Sequence, residues 1–209
     1  NMSQGSRICG IDGFLGGSDL LLLRRANTQS VGSRKALHPS QHYLQASPLA
    51  IILDSGAMAS RFTLRAKDGR TAIAVREFHQ TLYYVDRDRN FKRRRLRHGK
   101  YGRAEPLVEG VDDFQVLYGI DRSGNGIPNA GASAPAYVVL PSSNEDWSNV
   151  VSLKIYLLLS STAEAPGDKD PKHYSYAGKV GIRYDDSRKR RLFTAVISLR
   201  NISLKRAAL

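Results

Sequence analysis

Two histidines have the spacing of a small metal site. His38 and His42 are four residues apart, so on a helix both imidazoles would lie on one face and could bind the same ion. Pro39 lies between them, however, and no cysteine or acidic residue is close enough to complete a ligand set. The pattern therefore favours two surface histidines, and we predict no metal ligand in this sequence.

A second candidate cation site is the oxygen-rich segment DRSGNG. It places Asp121, Ser123 and Asn125 at alternate positions, as in the first half of a calcium-binding loop, and Asn129 offers a further oxygen. The position at which such a loop needs a bidentate glutamate holds Ala132. The segment therefore predicts a tight polar turn rather than a cation site.

Motifs for catalysis are absent from the sequence. It has no G-x-S-x-G, H-E-x-x-H, G-x-x-x-x-G-K-[ST] or C-x-x-C pattern, so none of the usual nucleophile, zinc, phosphate-loop or redox sites is supported. An acidic cluster comprises Glu105, Glu109, Asp112 and Asp113. We interpret it as a local turn whose carboxylates pair with the excess of basic residues, rather than as an acid–base pair. We predict no enzymatic activity and no cofactor.

The formal net charge of +13 is the strongest compositional signal. Much of it lies in two runs, DRDRNFKRRRLRHGKYGR and SRKRR. The first run supplies a candidate basic interaction patch, which comprises Arg87, Arg89, Lys92, Arg93, Arg94, Arg95, Arg97 and Lys100. We interpret it first as a solvated hairpin whose charges keep an exposed edge from pairing with other sheets. Binding of an acidic partner, lipid head groups or DNA stays open, because such runs also attract phosphates.

Three apolar segments in the second half of the chain have the length and alternation of β-strands. They are LVEGVDDFQVLYGID (107–121), VVSLKIYLLLSS (150–161) and RRLFTAVISLRN (190–201). The first two have one apolar face each, which predicts half-buried strands. The third has apolar residues on both faces, which predicts a strand inside the sheet rather than at its edge.

The first half of the chain also predicts β structure. Short apolar runs with turn signals between them predict strands at 18–26, 48–54, 61–67, 71–78 and 80–86. The tripeptide KDG at 67–69 predicts a hairpin turn. The segment HPSQHYLQA at 38–46 is ambiguous, because a proline near its start could open a helical turn.

Length and composition favour one compact domain over residues 1–209. The chain is long enough to bury a core, and its Gly/Ser/Pro clusters lie between apolar runs, as surface loops do. We find no internal repeat and no run that approaches the roughly 18 apolar residues of a membrane span. The single cysteine, Cys9, cannot form an intramolecular disulfide and does not identify the compartment.

The order of these segments resembles the minor pilins of the PilW family of type IV pili. The likeness consists of the LVEGV entry, the YG-D strand end, one tryptophan before the V-K-I-LLL-S strand, and the closing R-R-F-T and LRN residues. It covers roughly Ala72 to Asn201. The resemblance implies an α+β, pilin-like or pseudopilin-like fold whose ectodomain is mostly antiparallel β-sheet.

The resemblance also implies a function by assembly. Such a subunit joins other minor pilins and the major pilin, primes pilus polymerisation and lies at the pilus tip, where a large adhesin is a further partner, in a system that serves adhesion and twitching motility. It faces the periplasm from the inner membrane before assembly and is extracellular afterwards. The leader and the hydrophobic helix of such a chain are missing here, so we expect an ectodomain.

Two other functions stay open. The J-type minor pseudopilin of type II secretion shares the fold and the tip position, and the LVEGV and LRN features favour the pilus. A basic nucleic-acid-binding module is the further alternative, although charge by itself predicts only non-specific attraction to DNA.

Overall fold

The structure is a computed structural model that describes residue 11, residues 13–165, residue 167 and residues 169–199. The chain divides into two compact units. Unit 1 comprises Asn1–Leu20, Tyr84–Phe91 and Val108–Leu209, and unit 2 comprises Leu21–Tyr83 and Lys92–Leu107. That residues 1–209 form a single pilin-like ectodomain stays a prediction.

A seven-stranded sheet forms most of unit 2. Its strands are β1 (Leu21–Ser30), β2 (His42–Ala46), β3 (Ile51–Ser55), β4 (Arg76–Val85), β5 (Phe91–Arg97), β6 (Lys100–Tyr101) and β7 (Glu105–Val108). The order is β3-β2-β4-β5-β6, while β1 also pairs with β4 and β7 with β5. Two 3₁₀ helices, Arg34–Ala36 and Gly56–Arg61, lie between strands.

The core of unit 2 explains why one predicted strand is absent. Leu37, Tyr43, Phe62 and Val75 form a buried cluster. Beside it, the buried side chain of Gln45 accepts a hydrogen bond from the Leu64 backbone at 2.9 Å and donates one to the Ile73 carbonyl at 2.7 Å. This amide takes the place of a strand partner, so residues 61–67 form no strand, contrary to prediction.

Three other predictions for the first half have different outcomes. The predicted strands at 71–78 and 80–86 are wrong as separate elements, because a single strand, β4, runs from Arg76 to Val85, and residues 71–75 precede it. The KDG turn is confirmed by the antiparallel bridge between Arg65 and Ala72 on either side of it. The segment 38–46 makes a turn at its start and then forms β2, not a helix.

Unit 1 contains a four-stranded antiparallel sheet and a hairpin. The elements are β8 (Val111–Ile120), β9 (Tyr137–Val138), α1 (Asn144–Ser148), β10 (Val150–Ser160), β11 (Tyr174–Tyr176), β12 (Lys179–Ile182) and β13 (Arg190–Ser198). The sheet order is β13-β10-β8-β9, and β11 pairs with β12. All three strands predicted for the second half are therefore confirmed as strands, and the predicted antiparallel character of the fold is confirmed as well.

The predicted position of β13 inside the sheet is wrong. Within the described residues β13 pairs only with β10 and forms the edge of the sheet. Phe193 and Ile197 on one face and Val196 on the other are 46%, 46% and 56% exposed. Alternation shows that both faces are apolar, but it does not show whether a neighbour covers them.

No helix among the described residues is long and apolar enough to span a membrane.

Candidate anion-binding groove and buried charge network

Alternation along three neighbouring strands of unit 2 gathers basic side chains on one face of the sheet. In β5, Arg93, Arg95 and Arg97 occupy every second position and therefore share a face. In β1, Arg25 lies opposite His79 of β4 in the antiparallel register. Residues far apart in sequence thus meet on one surface.

This surface is a groove of about 510 Å³. We call it the basic groove. Its lining residues come from β1, β4, β5 and the loops beside β2 and β5, and they are Leu23, Arg25, Gln41, Glu77, His79, Gln80, Thr81, Tyr83, Arg93, Arg95, Leu96, Arg97 and His98. Four arginines and one glutamate give the lining a positive charge even when both histidines are neutral.

Carboxylates of the chain itself neutralise only part of this charge. Arg93 Nε lies 2.8 Å from Glu105 Oε2, and His79 Nε2 lies 4.0 Å from Glu77 Oε2. The hydrogen bond from Arg93 lowers the pKa of Glu105, and the charges of Arg93, Arg95 and Arg97 lower it further. The guanidinium groups of Arg25, Arg95 and Arg97 form no hydrogen bond or ion pair with any residue that the structure describes. Three arginines of the groove thus keep their donors for a ligand.

A histidine pair lies at one end of the groove. His38 and His98 approach with their Nδ1 atoms 3.2 Å apart, and the Ser40 hydroxyl lies 3.1 Å from each of these nitrogens. His42, which the sequence placed beside His38, instead belongs to β2 and pairs with Ser55 in the register. The described ranges contain no group of three or more His, Cys, Asp or Glu side chains that could hold a metal ion.

The structure separates the predicted basic patch into groups. Three of its members, Arg93, Arg95 and Arg97, line the basic groove. Lys92 and Arg94 occupy the alternate positions of β5 and lie on its other face, where Arg94 Nε donates to the Gly102 carbonyl at 2.9 Å. That each of the eight predicted patch residues lies on an interaction surface remains a prediction.

The remaining patch residues have other positions. Lys100 is exposed in β6, and Arg87 is exposed in the turn between β4 and β5. Arg89, in the same turn, donates to Asp112 at 3.0 Å and to the Ser160 hydroxyl at 3.1 Å. Arg89 therefore stabilises unit 1.

Three groove residues were missed at the sequence level, namely Arg25, His79 and His98. The alternation of β1 shows that Leu23 and Arg25 share a face, and this signal was present in the sequence. The pairing of β1 with β4 could not be predicted, because no local signal sets the register of strands more than fifty residues apart.

Unit 1 contains a buried ionic network centred on Arg190. The Arg190 side chain is 1% exposed, and its Nε donates to Asp112 Oδ2 at 2.6 Å. Its two terminal nitrogens donate to the two carboxylate oxygens of Asp186, both at 2.6 Å. The guanidinium carbon lies 3.8 Å from the ring centroid of Tyr184. Bidentate pairing and stacking satisfy the charge, so a buried arginine is compatible with a stable core.

Asp113, the neighbour of Asp112, is the centre of a second buried group. Tyr176 donates its hydroxyl to Asp113 Oδ2 at 2.7 Å, and Lys179 Nζ lies 2.5 Å from the same oxygen. Burial, and then the hydrogen bond to Asp113, raise the pKa of Tyr176. These contacts join β8 to the hairpin of β11 and β12.

The predicted pairing of the acidic cluster with basic residues is confirmed for three of its members. Glu105 binds Arg93, Asp112 binds Arg89 and Arg190, and Asp113 binds Lys179. Glu109 is exposed. The carboxylates of Asp112 and Asp113 thus serve the fold of unit 1.

Asp121 closes the turn that the sequence predicted. Its buried carboxylate accepts hydrogen bonds from the backbone amides of Ser123, Gly124 and Gly126, at 3.1, 2.7 and 2.8 Å. Asn129 turns away from Asp121 towards Arg122, whose backbone amide donates to it at 2.7 Å. The turn is confirmed, because the carboxylate binds amide donors within its own loop.

The family of the chain follows from comparison with known proteins. Residues 82–201, which are more than half of the 209 residues, match the family described as Type IV Pilus-assembly protein W, or PilW. The chain therefore belongs to the PilW family, and the predicted resemblance is confirmed. Membership relates the chain to type IV pili and to the periplasmic or pilus-associated location of their components, which are structural proteins.

The chain is also similar to a solved structure. That structure is a type IV-like pilin from Thermus thermophilus, which is 18% identical, with a TM-score of 0.40 over 61% of this chain and 70% of that one. No curated protein matches the sequence.

Proposed function

We propose that the protein is a minor pilin that takes part in priming type IV pilus assembly and forms part of the pilus tip complex. It acts by contact with other pilin subunits and not by chemistry. Membership of the PilW family supports a role in the pilus. The observation that favours a subunit contact is the exposed apolar edge of unit 1.

This edge is β13. A strand at the end of a sheet presents unpaired backbone groups, and soluble proteins usually protect such an edge with charges, bulges or covering elements. Here the charges are confined to the first two residues of the strand, and Phe193, Val196 and Ile197 further along it are about half exposed. Exposed apolar surface of this kind marks interaction sites. The occupant that we propose is a second pilin subunit of the same pilus.

The proposed role has a defined place in the assembly. The protein meets the other minor pilins and the major pilin at the periplasmic side of the inner membrane, and the complex then becomes the extracellular tip. A large tip adhesin is a further partner in this proposal.

The test compares two triple variants in cells that lack the wild-type protein. Phe193→Ser, Val196→Ser and Ile197→Ser remove the apolar edge. Val139→Ser, Leu140→Ser and Val180→Ser remove three exposed apolar residues of the same unit and serve as the matched control. We expect the first variant to lose co-purification with other minor pilins and most surface pili, and the control to keep both.

Each of the following results would contradict the proposal. Normal co-purification of the β13 variant would exclude this edge as the subunit contact. Wild-type numbers of pili in cells without the protein, or immunogold label along the whole pilus instead of at its end, would exclude the priming and tip role. If the protein restored type II secretion instead of piliation in deficient cells, it would be assigned to the pseudopilins.

A further inference from the structure

We propose that the basic groove of unit 2 binds an extended acidic peptide segment of a partner protein, with carboxylates at alternate residues. This proposal concerns a surface other than the β13 edge and stands independently of the role at the pilus tip. It assigns a ligand class to Arg25, Arg95 and Arg97, whose guanidinium groups have no partner among the described side chains and backbone groups.

The spacing of the arginines matches such a segment. Side chains on one face of a strand repeat about every 6.8 Å, because each residue advances the chain by about 3.4 Å. Arg93, Arg95 and Arg97 have this repeat along β5. An extended peptide laid along β5 repeats its own same-face side chains at the same distance, so successive acidic residues meet successive arginines.

The groove already shows how it binds a carboxylate. Glu105, which is part of the same unit, accepts a hydrogen bond from Arg93 Nε at 2.8 Å. Arg95 and Arg97 stand at the next two positions on that face and offer the same planar donors. The planar guanidinium group of an arginine can donate two parallel hydrogen bonds to the two oxygens of a carboxylate. The side chains of Asp and Glu therefore suit these sites.

The rest of the lining favours a peptide over a single-stranded nucleic acid. Proteins that bind single strands combine positive charge with aromatic platforms on which bases stack. Tyr83 is the only Tyr, Phe or Trp among the residues that line the basic groove. Leu23 and Thr81, which are paired in the register and in phase with Arg25 and His79, supply a floor for the small and aliphatic side chains that alternate with the acidic ones.

The groove is tested with a short fluorescent peptide that alternates glutamate with threonine, added to the whole chain and followed by anisotropy. We compare two double variants. The groove variant combines Arg95→Glu and Arg97→Glu, and the control variant combines Lys67→Glu and Arg103→Glu. The control residues are exposed cations of the same unit outside the groove lining, so both double variants change the net charge equally. We expect the groove variant to bind the peptide at least about tenfold more weakly and the control to stay within about threefold.

Each outcome decides the proposal. An equal loss in both variants shows general attraction to a cationic protein and overturns it. A thymidine oligomer that binds more tightly than the peptide, and loses its affinity only in the groove variant, assigns the groove to nucleic acid and also overturns it. Arg95→Gln with Arg97→Gln repeats the test without new charges, and a thermal melt of each variant confirms that it is folded. None of these measurements needs another pilin, so failure here leaves the assembly role untouched.

Discussion

Arg190 and Asp112 are 78 residues apart in sequence and form one buried ion pair, with 2.6 Å between Arg190 Nε and Asp112 Oδ2. Asp112 lies at the start of β8 and Arg190 at the start of β13, the two strands that flank β10. The pair joins the LVEGVDD segment to the RRLF segment, and each supplies the opposite charge that the other needs when buried.

Replacing Arg190 with leucine leaves Asp112 buried with only Arg89 as a cationic partner. Since breaking a buried pair leaves an uncompensated charge, we expect the free energy of unfolding to fall by about 3–5 kcal/mol. Arg191→Leu, at the exposed neighbouring position, is the control and should change it by less than about 0.5 kcal/mol. Urea denaturation of both variants measures the difference, and equal values would show that the network adds nothing.

Stability should depend on pH through Asp186. The hydrogen bonds from Arg190 lower the pKa of Asp186 to about 2, from an ordinary value of 3.8. A carboxyl with a lowered folded-state pKa stabilises the protein above its unfolded pKa, and this stability is lost as the pH falls through the folded value. We therefore expect the melting temperature to fall between about pH 4 and pH 2, and to fall less in Asp186→Asn.

Asp185→Asn is the matched control for this titration. Asp185 is the adjacent residue, and its pair with Lys169 is exposed, so salt screens it. An acid transition of the same size in Asp186→Asn and in the parent would remove Asp186 as its cause.

Burial differs sharply between the centre and the edge of the four-stranded sheet. Leu158 of β10 is completely buried, whereas Ile197 of β13 is 46% exposed. We expect Leu158→Ala to cost about 2–5 kcal/mol of unfolding free energy, because it leaves a cavity. Ile197→Ala should cost less than about 1 kcal/mol. Chemical denaturation checks this, and a larger loss at Ile197 would mean that the strand is covered in the isolated chain.

The Asp121 turn gives a prediction for both mutation and ligand. Asp121→Ala removes the buried carboxylate that accepts hydrogen bonds from the backbone amides of Ser123, Gly124 and Gly126, and it should cost about 1–3 kcal/mol. Asn125→Ala, at an exposed position of the same loop, should cost clearly less. Millimolar calcium should leave the melting temperature of the parent unchanged, because an ion that binds only the folded state must raise it. A saturable rise that is absent in Asp121→Ala would show that the loop binds calcium.

The strands of unit 1 could be predicted because their sequences are locally unambiguous. β8 and β10 carry apolar residues at every second position from Phe114 to Ile120 and from Val151 to Leu159, and Gly110, Asp121 and Asn149 lie beside their ends. Residues 61–67 misled prediction for the opposite reason. Their apolar side chains are spaced as in a strand, but Phe62 enters a cluster and the side chain of Gln45 binds the backbone of Leu64.

The groove and the network were beyond sequence reasoning for a physical reason. Alternation shows which residues share a face, but the register between distant strands decides which faces meet. The run of arginines in β5 was evident, and alternation along β5 places Lys92 and Arg94 on the other face, yet nothing local showed that Arg25 of β1 would join Arg95. Asp112 was correctly predicted to pair with a basic residue, but its partner Arg190 lies in β13, five strands further along the chain.

The ion pair between Asp112 and Arg190 also has a consequence for the time course of folding. Contacts between residues far apart in sequence form slowly, since a long loop must close before they contribute any stability. When a chain is synthesised from its N-terminus, β8 and β10 are available well before β13. Until Arg190 arrives, Asp112 has only Arg89, and β10 has one neighbour instead of two. Completion of this sheet is therefore a late event in the folding of each molecule.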